Sequence, residues 1–84
     1  MKYTVVWTDI ADNELCELYL SVPNRAEFVR IVDAIESELA RRPEAVGESR
    51  DQDWRVVMES HIGMIFEINP GDLLVQVLHI GWLP

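Results

Sequence analysis

The last thirty residues constrain this chain more than any other stretch. From Trp54 to Pro84 it reads WRVVMES, IGMIFEIN and LLVQVLHI, three successive runs rich in β-branched and apolar residues, and then Gly81-Trp82-Leu83-Pro84. A tight turn near His61 joins the first two runs. Asn69-Pro70-Gly71-Asp72 joins the next two, with Pro presetting φ at the second turn position and Gly suited to positive φ at the third. Strands so closely joined form an antiparallel meander, whose apolar face must be covered by something else in the chain.

The first half supplies that cover. Lys2 to Trp7 reads as a short strand, and Thr8 or Asp9 can cap a helix by accepting from a free N–H of its first turn. Ala11, Leu15, Leu18, Tyr19 and Val22 then lie on one helical stripe. Pro23 ends it, and Asn24 and Glu27 stand at capping-box spacing before a second stripe of Phe28, Ile31, Val32, Ile35 and Leu39, limited by Pro43. Pro43 to Asp53 is a polar loop. The expected architecture is a single α+β domain over residues 1–84. Its order is β-α-α-β-β-β, a helical hairpin on one face of a mainly antiparallel four-stranded sheet.

In the third run Ile62, Met64, Phe66 and Ile68 share one face. In the last, simple alternation puts Leu73, Val75, Val77 and His79 opposite Leu74, Gln76, Leu78 and Ile80. Both faces of that strand are largely apolar, so the face away from the helices needs cover. Either the tail folds back over it or a partner does so, through Leu74, Leu78, Ile80, Trp82 and Leu83.

Eighty-four residues bury only about 60–65% of their unfolded surface, so the core is thin. Fifteen acids against seven Lys and Arg give a net charge of −8, which disfavours binding along a phosphate backbone. The acids crowd into the helices, whereas Arg41, Arg42, Arg50 and Arg55 lie close together and offer a local basic patch. The N-terminal stretch is too short and polar for a signal peptide, and no apolar run is long enough to span a membrane. Cys16 is the only cysteine, and no His, Cys or carboxylate spacing marks a metal site, so no cofactor or metal is expected. These features point to a cytoplasmic protein. Arg55 could hold a phosphate or pair with Glu67 on the next strand, and His79 is a residue type that exchanges protons near neutral pH.

The start K-Y-T-V-V-W-T, the helix positions Ala11 and Leu15, Arg55 before the hairpin and the V-L-H ending resemble the RelE/ParE toxin superfamily of type II toxin–antitoxin modules, also called plasmid-stabilisation proteins. The resemblance spans Tyr3 to Pro84. It implies the fold above and an antitoxin segment that wraps the domain. RelE-branch members cleave messenger RNA on the ribosome, and ParE-branch members inhibit DNA gyrase. Carried over by position, Arg55 matches one base of the RelE branch and His79 one residue of its closing motif, and these are the catalytic candidates. Val57 stands where a second base is common, Gly63 or Met64 where an Arg is usual, and Ile80 to Pro84 contains no base. RNA cleavage needs a proton acceptor, cations for the phosphorane charge and a donor to the leaving oxygen. The expected function is therefore protein binding, to an antitoxin-like peptide or a second copy, with ribosome-dependent cleavage or gyrase inhibition as alternatives.

Overall fold

The computed structural model describes residues 2–51 and 54–84. Strand β1 (Thr4–Trp7) leads into helix α1 (Asp9–Ser21) and then α2 (Arg25–Arg41). A 3-10 turn (Pro43–Ala45) and the strands β2 (Glu48–Ser49), β3 (Trp54–Glu59), β4 (Ile62–Asn69) and β5 (Leu74–Trp82) complete the chain. The sheet order is β1-β5-β4-β3-β2, antiparallel except that β1 runs parallel to β5.

Local chemistry sets the helix boundaries. Thr8 Oγ1 accepts from the Ala11 N–H at 3.1 Å, and Asn24 Oδ1 accepts from the Glu27 N–H at 3.0 Å, so both expected caps form. The α2 stripe is realised: Phe28, Val32, Ile35 and Leu39 are buried, and Ile31 packs against them. They meet Ile62, Met64, Phe66, Val75, Val77 and Ile80 from the sheet, and together these form the core. Leu15, Leu18 and Val22 of α1 pack on the rim of this core, while Tyr19 is turned out.

Three details differ from the sequence reading. The expected loop contains the two-residue strand β2, paired with Arg55 and Val56 and too short to leave a pattern; Gln52 and Asp53 at its end lie outside the described residues. Gly47, at φ 65°, introduces that strand, and a Cβ there would lie 2.2 Å from the Val56 carbonyl oxygen. In the connection from β4 to β5 it is Leu73, at φ 51°, just past the expected Asn69–Asp72 turn, that takes the left-handed conformation rather than Gly71. Asn69 holds this turn: Oδ1 accepts from the Asp72 N–H at 3.2 Å, and Nδ2 donates to Oδ2 of Asp72 at 3.0 Å.

The third difference reorganises β5. Phe66 pairs with Val77, but Ile65 pairs with His79, so Leu78 is the extra residue of a β-bulge. Alternation restarts after it. Val75, Val77 and Ile80 all enter the core, and His79 moves to the outer face opposite Ile65. Thr8 braces the bulge, its N–H donating to the Val77 carbonyl at 3.0 Å and its hydroxyl to the Leu78 carbonyl at 3.3 Å.

Candidate functional site

Arg55 pairs with Phe66, so its side chain leaves the sheet on the helix side. Nε donates to the Val46 carbonyl at 3.0 Å and a terminal nitrogen to the Gly47 carbonyl at 3.1 Å. Glu67 pairs with Trp54 and lies on the other face, so the ion pair expected between Glu67 and Arg55 does not form. Arg55 instead anchors the segment that leads into β2. The other arginines of the expected patch are likewise engaged. Arg41 and Arg42 both reach Glu38, at 3.4 and 2.8 Å, and Arg50 reaches Glu48 at 3.3 Å. Hydrogen bonding from Arg42 holds the Glu38 carboxyl below its ordinary value, and the hydrogen bond from the Tyr3 hydroxyl does the same for Glu44.

His79 lies on the outer face, with Nδ1 3.3 Å from both carboxylate oxygens of Glu14. The Ile80 N–H donates to Oε1 of the same carboxylate at 3.1 Å. Helix α1 therefore runs along the part of β5 that β1 does not reach, and Glu14 supplies the acceptor a neighbouring strand would have offered. Arg55 and His79, the two catalytic candidates, stand on opposite faces of the sheet with β4 between them.

The five partner-binding candidates fall in different places. Leu74 and Leu78 are half-buried on β5, and Ile80 is 3% exposed and belongs to the core, because the bulge reverses its face. Trp82 pairs with Ile62 at the helix-side end of the sheet and stacks on His61, with ring centroids 5.0 Å apart. Leu83 crosses to the other face and covers Gly63, where a Cβ would meet its Cδ1 at 3.2 Å. The tail thus folds over both faces, with only Leu83 on the outer one.

A concavity of about 610 Å³ forms a groove between α1 and α2. Leu15, Tyr19, Leu20, Phe28, Val29 and Val32 make its apolar walls, and Asp12, Asp33 and Glu36 stand among its lining residues. Leu20 is 69% exposed, and Tyr19 and Val29 are exposed as well. Sequence reasoning did not single out this groove. The available signal was Leu20 and Val29, two large apolar residues outside the core-facing stripes. Among the described residues no group of His, Cys, Asp or Glu could hold a metal ion, and no helix is long and apolar enough to cross a membrane.

No protein-family model matches the sequence, and no curated protein sequence does. Solved structures do match. A chain of the toxin–antitoxin complex RelBE2 from Mycobacterium tuberculosis superimposes with a TM-score of 0.79 at 20% identity, covering 98% of this chain and 92% of that one. A chain of the chromosomal ParDE toxin–antitoxin system of P. aeruginosa gives 0.70 at 16% identity, with 99% and 98% covered. The isolated E. coli RelE toxin gives 0.61 at 17% identity, with 98% and 85% covered. The paired helices, the mixed sheet and these superpositions agree on one fold, that of the RelE/ParE toxins.

Proposed function

We propose that this chain is the toxin-type component of a cytoplasmic toxin–antitoxin module and acts through protein binding, its partner an antitoxin-like polypeptide that covers the α1–α2 groove and the Trp82–Leu83 end of the sheet. The groove carries this reading. Apolar patches of such concave shape, bordered by charge, suit the apolar stripe of a partner helix. The acids at Asp12, Asp33 and Glu36 favour a helix whose apolar residues are flanked by Lys or Arg. The placement of Arg55 and His79 on opposite faces, and the engagement of the arginines by acids and carbonyls, favour binding over phosphodiester chemistry. The structures RelBE2 and ParDE are of toxins with their antitoxins, which supports a partner of that kind here.

The test is to express the chain with the product of any small gene that abuts its own and to measure the complex by calorimetry. Leu20→Glu and Val29→Glu should each weaken binding at least about tenfold, since each places an acid in an apolar contact beside existing acids. Binding that is unchanged in both variants would overturn the groove assignment. Normal growth on expression without any antitoxin would count against the toxin part.

A further inference from the structure

On the outer face Gly63 and Gly81 pair directly across β4 and β5. Leu83 covers Gly63, and beside it the missing side chain of Gly81 leaves a hollow of about 310 Å³, walled by Val56, Met58, Ile65 and Leu83. A Cβ on Gly81 would meet nothing within 4 Å, so the space is open on that side. At its lip sit the Glu14 carboxylate and His79. No Lys or Arg lines the hollow among the described residues, and the chain as a whole carries −8.

We propose that this hollow receives one basic side chain, an arginine or lysine of the partner polypeptide, whose aliphatic stem lies on Val56, Ile65 and Leu83 and whose cationic head reaches Glu14. The inference rests on the protein-binding reading above and adds a second contact on the opposite face of the sheet. An apolar channel ending in a carboxylate matches the two-part chemistry of a long basic side chain. The Glu14 carboxylate offers acceptor oxygens for a charge-assisted hydrogen bond, and the other groups it touches are an imidazole nitrogen and one backbone N–H. A phosphate would find no Lys or Arg here and would face the Glu14 carboxylate, so a nucleic acid does not fit. A second copy of the chain would bring a further −8 to a site that favours positive charge.

The experiment titrates the labelled full chain with two heptapeptides that differ at one position, central arginine or its neutral isostere citrulline, between leucines, and follows amide shifts by NMR. The arginine peptide should move Gly63, Gly81 and Ile80 and bind about two- to fivefold tighter than the citrulline peptide, the range for one partly exposed ionic contact. Glu14→Gln should erase that difference while its amide oxygen still accepts from Ile80. Gly81→Val should block the shifts without loss of Tm, because its side chain enters open space in a strand. Equal binding of the two peptides, binding that survives Gly81→Val, shifts confined to the α1–α2 groove, or shifts produced by protein concentration alone would each overturn the proposal. Failure here with Leu20→Glu still disrupting the natural complex would remove the hollow and leave the groove reading intact.

Discussion

The guanidinium of Arg55 donates through two nitrogens to the carbonyls of Val46 and Gly47, and those acceptors lie in the turn that delivers the chain to β2. Arg55→Ala should cost about 1–2 kcal/mol in urea denaturation, because it removes charge-assisted bonds to one part-buried and one exposed carbonyl. Peptide and partner affinity should be unchanged. Lysine is a poor substitute, since a point charge cannot reproduce the two-pronged geometry. Tyr3 and Glu44 give a second residue-scale expectation. The Tyr3 hydroxyl donates to Glu44 at 2.6 Å, which lowers the Glu44 pKa and raises that of Tyr3. A lowered carboxyl pKa stabilises the fold above its ordinary value of 4.5, and that contribution fades as pH falls through the lowered value. A raised phenol pKa stabilises below its ordinary value of 10.0, and the contribution fades as pH rises through the raised value. Tyr3→Phe should therefore reduce Tm between those limits and converge on the parent protein at either extreme. A difference in Tm that is constant from pH 3 to 11 would contradict the assignment.

The elements show where a sequence pattern is sufficient and where it is not. Helix α2 and strand β4 were legible because each has a single clean period, 3.6 or 2, imposed by burial of one face. The caps at Thr8 and Asn24 were legible because their side chains act on the backbone next to them. Strand β5 was not. Its period is reset at Leu78 by contacts to Thr8, seventy positions away in sequence, and no local feature announces this. Ile80 was accordingly expected outside and is found in the core. Ile80→Ala should cost about 2–4 kcal/mol by equilibrium denaturation, whereas the half-buried Leu78→Ala should cost clearly less. Equal losses at the two positions would contradict the bulge. The candidate site suffered the same loss of information. Arg55 and His79 look alike as chemistry-bearing residues in sequence, and only the register puts them on opposite faces. Glu14 was one acid among many until the fold brought it to Ile80.

At the scale of the whole molecule, charge and shape pull in different directions. The −8 was readable from composition. The positions of the arginines were not, and in the fold several are drawn into contacts with nearby acids and carbonyls. The remaining negative charge repels itself in the compact state, so the free domain should gain Tm as salt is raised from about 10 mM to 500 mM through screening. A fall in Tm over that range would mean that the local ion pairs outweigh the repulsion. Helix α1 matters at this scale for another reason. From Leu78 to Trp82, β5 has no β1 beside it, and a bare strand margin is a template on which other chains can stack into aggregates. Thr8 and Glu14 occupy that margin with a hydroxyl and a carboxylate, leaving intermolecular strand addition to β1, the short β2 and the end of β3 that β2 does not reach. The acid that dresses the lip of the outer hollow is thereby also a guard against fibre growth.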